Sequence, residues 1–177
     1  MKMKKRKYLI PFFILAFVPF VSSCGGGSGG GEVTTEIAGL YLSPAGQPLN
    51  VGDTFTVEVT LDTDDKPVTA VSAYITFPSD LLEVDLIDIT DSDFSVEAEN
   101  NIEGNIIKIT RGEATPGVNY INALIATIDF IAKAPGTARV SFQLNGSGAG
   151  PSRVIKDDGT GTDILTTVMG ETYTIQP

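Results

Sequence analysis

The chain has 177 residues, one cysteine, no histidine and no tryptophan, with 12 basic and 22 acidic side chains and a net charge of −10. Five basic residues precede Cys24 and no acidic one does, so the remainder carries seven basic against 22 acidic residues, a net charge of about −15. That balance excludes a phosphate-backbone partner and an electrostatic membrane patch, and the missing histidine removes Ser-His and Cys-His nucleophiles and His-based metal sites.

Residues 1–23 read as a cleaved leader. Lys2, Lys4, Lys5, Arg6 and Lys7 form a charged start, and Tyr8 to Val21 an apolar run of 14 residues. As a helix that run would span about 21 Å, short of a hydrocarbon core of about 30 Å. Pro11 and Pro19 weaken it further. A signal peptide fits better than a membrane span.

Val21-Ser22-Ser23-Cys24 has an aliphatic residue, two small residues and a cysteine. It resembles a bacterial lipoprotein box. The resemblance implies that Cys24 is lipidated and becomes the mature N-terminus, anchoring the protein in the cell envelope. Gly25 after the cysteine implies the outer membrane where there are two. Residues 24–35 then form a tether, in which Gly25–Gly31 has a reach of about 15 Å. This glycine run has no preceding strand and no Lys-Ser/Thr, so it is not read as a phosphate loop.

Residues 36–177 alternate in strand fashion and show no amphipathic helix. Ile37–Leu42 opens the series. Phe55, Val57, Val59 and Leu61 alternate with polar residues after an Asn50–Asp53 turn. Val71, Ala73, Ile75 and Phe77 point one way, and Ser72, Tyr74 and Thr76 the other. Leu81–Ile89 continues with Leu82 and Val84 inward. Phe94, Val96 and Ala98 make a short strand, and Ile107 and Ile109 follow with Lys108 and Thr110 opposite. Arg111–Asn119 reads as a loop. Ile121–Lys133 is the longest strand, with Leu124, Ala126, Ile128 and Phe130 inward. Ala138, Val140, Phe142 and Leu144 alternate next, and Asn145–Ser152 is a Gly-rich loop. Asp158-Gly159 signals a hairpin, and Glu171–Ile175 a terminal strand. The pattern predicts an all-β jelly-roll sandwich of about eight or nine strands.

Three segments carry a family resemblance: Val51-Gly52-Asp53-Thr54-Phe55-Thr56-Val57, Ile75-Thr76-Phe77-Pro78-Ser79-Asp80-Leu81-Leu82-Glu83-Val84, and Leu124–Phe130 followed by Ala134-Pro135-Gly136-Thr137. In order and spacing the domain resembles a cohesin. The resemblance implies a nine-stranded sandwich that binds a protein partner on one sheet face, usually a dockerin, a small calcium-binding helical module. Type I cohesins often use an Asn-x-Asp pair early in the third strand. An ungapped match puts Ala70 and Ser72 there, a departure from the type I pattern. The expected partner-binding residues are Ser72, Tyr74 and Thr76, with Lys108, Thr110 and Arg111 on a neighbouring strand. Tyr74 leads because tyrosine combines large contact area with a polar tip.

Direct polysaccharide binding is the rival reading, set against the lack of tryptophan and a supply of four tyrosines after Cys24. A structural envelope lipoprotein is the third. No enzyme is read from the sequence: carboxylate pairs are easily accidental among 22 acidic residues. No cofactor is expected either. Asp88, Asp91 and Asp93, and Asp157, Asp158 and Asp163, have the oxygen ligands for Ca²⁺ but no EF-hand spacing, and turn chemistry explains them as well.

Overall fold

The computed structural model describes residues 38–144 and 151–177. The leader, Cys24, the tether and most of the Gly-rich loop lie outside the described residues. Twelve strands are formed among those described, rather than eight or nine. They are β1 (Ala38–Ser43), β2 (Pro48–Asn50), β3 (Thr54–Asp62), β4 (Val68–Thr76), β5 (Leu82–Asp88) and β6 (Val96–Glu103). The second half holds β7 (Ile106–Gly112), β8 (Ala123–Ala132), β9 (Gly136–Phe142), β10 (Arg153–Lys156), β11 (Leu165–Met169) and β12 (Glu171–Gln176).

One sheet has five strands in the order β11-β1-β3-β8-β5. The other has seven: β2-β12-β9-β4-β7-β6, with β10 also paired to β4. The additional strands are short. β2 joins the edge of the second sheet parallel to β12, and β11 joins the first parallel to β1. Neither has the long alternation that marks a strand in the sequence.

Period-two alternation places one row of each strand between the sheets. Phe55, Val57, Val59 and Leu61 of β3 face Val71, Ala73 and Ile75 of β4 and Ile107 and Ile109 of β7 across a single core. Phe130 is fully buried, its ring 5.6 Å from Phe55 and 5.7 Å from Phe77, and Tyr173 packs 4.6 Å from Phe55. Burying side chains of this size stabilises the fold by about 1.5–3 kcal/mol each.

The longest strand departs from expectation in one respect. It starts at Ala123, and Leu124 is not a core residue. Val59 pairs with Ala126 and Thr60 with Leu124, so Ile125 is an extra residue in β8. The bulge reverses the alternation upstream of it. Ala123 and Ile125 turn inward, and Leu124 turns out.

The region after residue 90 also differs. Phe94 is buried ahead of β6, whereas Val96 is exposed. β6 runs eight residues to Glu103 and returns through Gly104-Asn105 into β7. β7 continues through Arg111 to Gly112, where a loop is expected from the sequence.

Candidate functional site

Ser72, Tyr74 and Thr76 stand on the outer face of the seven-stranded sheet because their neighbours Val71, Ala73 and Ile75 fill the core. Register then decides what they meet. Ser72 is opposite Thr110, and Tyr74 opposite Lys108. On the far side of β7, Thr110 is opposite Glu99 and Lys108 opposite Asn101. Five of the six expected partner-binding residues therefore share one face.

Arg111 is the exception. It alternates with Ile107 and Ile109, so its side chain lies on the inner face and is 5% exposed. Its guanidinium donates to the carbonyl of Phe94, and its Nε has no hydrogen-bond partner among the described residues. The sequence places it at the start of a loop, where orientation is free; β7 extends past it and fixes it inward.

The face is a connected hydrogen-bond network. Tyr74 donates its hydroxyl to Glu99 Oε2 at 2.6 Å. Asn101 donates its side-chain amide to Glu99 Oε1 at 3.3 Å, and Thr110 donates to Ser72 Oγ at 3.1 Å. Lys108 Nζ bonds the carboxylate of Glu103 and lies 5.7 Å from the centre of the Tyr74 ring. Thr76 turns the other way and bonds the carbonyl of Ser141 on β9 at 3.1 Å.

Electrostatics follow from these contacts. Donation to Glu99 raises the Tyr74 phenol above its usual range, with burial adding to the effect. Lys108 lowers the Glu103 carboxyl, and Glu103 raises the Lys108 ammonium in return.

The β4 backbone is also pinned beside Tyr74. β10 pairs with β4 as far as Ser72, and β9 takes over at Ile75. Between them, Tyr74 N donates to the hydroxyl of buried Ser152 at 3.1 Å, and Gln143 N donates to Tyr74 O at 2.7 Å. The side chain thus projects from a strand bonded along both edges.

Glu99, Asn101 and Glu103 are the residues that sequence reasoning overlooks. Their signal is faint: a polar run before the Gly104-Asn105 turn, which makes β6 the hairpin partner of β7. Among the calcium candidates, Asp88, Asp158 and Asp163 accept backbone hydrogen bonds. Asp88 Oδ1 accepts from Thr90 N at 2.8 Å, and Asp158 Oδ1 from Thr160 N at 2.9 Å. Asp163 Oδ1 accepts from Val154 N and Leu165 N, both at 3.1 Å. Among the described residues no group of three His, Cys, Asp or Glu side chains converges on a metal position.

A two-sheet sandwich with a polar network held on an open strand face has the architecture of a binding module. The family model described as "Cohesin domain" matches residues 44–165. Solved structures share the fold. A type I cohesin in a cohesin–dockerin complex from Clostridium thermocellum is 14% identical with a TM-score of 0.63, covering 82% of this chain and 97% of that one. The solution structure of CaCohA2 from Clostridium acetobutylicum is 20% identical with a TM-score of 0.60, covering 81% and 94%. A non-cellulosomal cohesin from the hyperthermophilic archaeon Archaeoglobus fulgidus is 16% identical with a TM-score of 0.59, covering 79% and 91%. A search of the curated proteins found no match. The chain belongs to the cohesin family.

Proposed function

We propose that this protein is a lipid-anchored cohesin module of the bacterial cell envelope that recruits a dockerin-like protein through the outer face of its seven-stranded sheet. The observation that carries the reading is the Tyr74-Glu99-Lys108 arrangement, an aromatic anchor held by a carboxylate with an ammonium beside its ring. Interfaces concentrate their energy in such anchors, and here the rotamer is set before any partner arrives. A partner matching this face offers a hydrogen-bond donor to Glu99 and apolar surface to the Tyr74 ring.

Attachment rests on Cys24. The leader is too short to span, and the acidic domain does not cling to anionic lipid, so acyl chains on Cys24 supply the anchor. The run Gly25–Gly31 then lets the module sample positions above the surface, the outer membrane where two membranes exist.

The test is calorimetric titration with a panel of calcium-loaded dockerin modules, using wild type and Tyr74→Ala. Binding by at least one dockerin that the variant weakens supports the reading. No binding across the panel, or equal binding by both proteins, refutes it.

A further inference from the structure

We infer that the opposite side of the molecule, the outer face of the five-stranded sheet, carries a separate binding site for a neutral saccharide chain. The register draws one row across four adjacent strands: Met169, Tyr41, Thr60 and Leu124. At about 4.8 Å per strand the row is about 14 Å long. It floors a groove of about 530 Å³, whose rim includes Ser43, Glu58, Asn122 and Glu171.

Tyr41 lines the groove, and its ring leans over Gly39 on the same strand. Both face outward on β1, yet Gly39 is buried. A Cβ at residue 39 would fall 2.5 Å from the Tyr41 hydroxyl and 2.7 Å from ring atom Cε2. The phenol therefore lies down over the glycine instead of standing up from the sheet. Any larger residue at 39 would lift it. The result is an aromatic face laid low along the sheet that lines the concave surface, with Met169 beside it and Thr60 and Leu124 on its other side in the row.

The rim sets the ligand class. Glu58 is held by Ser43, which donates to its Oε2 at 3.3 Å, and Glu171 is held by the backbone N–H of Gly46 at 3.4 Å. Asn122 sits at φ +60°, a left-handed position that asparagine tolerates better than most side chains. Carboxylates, hydroxyls and an amide are the donor and acceptor set for sugar hydroxyls, and the aromatic face suits the apolar C–H face of a pyranose. No Lys or Arg lines the groove, and two carboxylates do, which excludes phosphorylated and uronic-acid ligands. Thr60 interrupts its apolar row, and Ser43, Glu58, Asn122 and Glu171 line its rim, unlike the continuous apolar strip that receives an amphipathic helix.

This site and the Tyr74 face are on different sheets, so each can be tested without the other. The full chain is titrated with neutral hexasaccharides of β-linked glucose, xylose and mannose, followed by amide NMR shifts and calorimetry. The expected result is saturable binding of at least one, with shifts at residues 41–43, 58–60 and 122–124. Tyr41→Ala and Gly39→Ala are expected to weaken binding by about tenfold or more, Glu58→Gln to weaken it less, and Tyr74→Ala to leave it unchanged. Circular dichroism and melting show that each variant is folded, and Glu58→Gln covers the case in which either β1 variant is not. Three blank titrations overturn the inference. So do shifts that map elsewhere, binding insensitive to Tyr41 and Glu58 together, or a groove that takes a hexalysine peptide and none of the sugars.

Discussion

Tyr74 and Glu99 lie on strands that are not neighbours: the Tyr74 hydroxyl crosses β7 to reach Glu99 Oε2 at 2.6 Å. The bond sets both side chains in place on an otherwise open face and orients the ring beside Lys108. It also separates two roles of Tyr74, contact area and orientation. Tyr74→Phe keeps the ring and removes the donor, so partner affinity should fall less than in Tyr74→Ala. Fold stability should fall by about 0.5–1.5 kcal/mol in Tyr74→Phe. Urea unfolding and calorimetry on the two variants check both statements.

Arg111 provides the contrasting case beneath the same face. Its buried side chain bonds the Phe94 carbonyl and supports the entry to β6. Arg111→Ala should destabilise the domain by about 2–4 kcal/mol, the range of a large core truncation. Partner affinity measured on the folded variant should not change. An affinity loss matching that of Tyr74→Ala would place Arg111 in the interface after all.

Alkaline titration should single out buried Tyr173. Burial pushes the phenol of Tyr173 up to about 12. In the unfolded chain it loses its proton near pH 10. Between these values the unfolded state binds fewer protons than the fold, so stability falls as pH rises from about 10 to 12 and is fully present below 10. Phenolate absorbance should show Tyr173 titrating late, together with unfolding. Tyr173→Phe should flatten the decline of the urea midpoint over that range.

Gly46 connects β1 to β2 at a point of close backbone approach. A Cβ there would come 1.6 Å from the Thr172 carbonyl oxygen, a backbone atom with no rotamer to escape by. Gly159 has open space around it and φ +72°. Gly159→Ala should cost about 1–2 kcal/mol from the left-handed backbone alone. Gly46→Ala should cost more, because β2 or β12 must move. Thermal melts of the two variants give the order.

Cys24→Ser tests the anchor. The variant should appear in the soluble fraction at mature size, or accumulate as uncleaved precursor, while wild type partitions into detergent. A variant that stays membrane-bound at mature size would end the lipid-anchor reading.

Much of the sandwich is legible in the chain itself. Phe55-Val57-Val59-Leu61 and Val71-Ala73-Ile75 alternate without interruption, and a strand buried on one face has one consistent way to lie. That alternation also put Ser72, Tyr74 and Thr76 on a common outer face. Local pattern failed where a feature had no periodic signature. Ile125 is an added residue that reverses the phase of its strand, and no composition announces it. β2 and β11 are short and take their hydrogen bonds from distant strands.

Binary pattern, then, determined the all-β class, the single apolar core and the side of β4 that faces out, because burial has the same period as the side chains. Tertiary structure decided everything that depends on register between strands. It brought Glu99 within reach of Tyr74, turned Arg111 inward, and laid the Tyr41 ring over Gly39. Which residues meet across a sheet depends on hydrogen-bond partners far apart in the chain, and that pairing exists only once the two sheets have closed on their core.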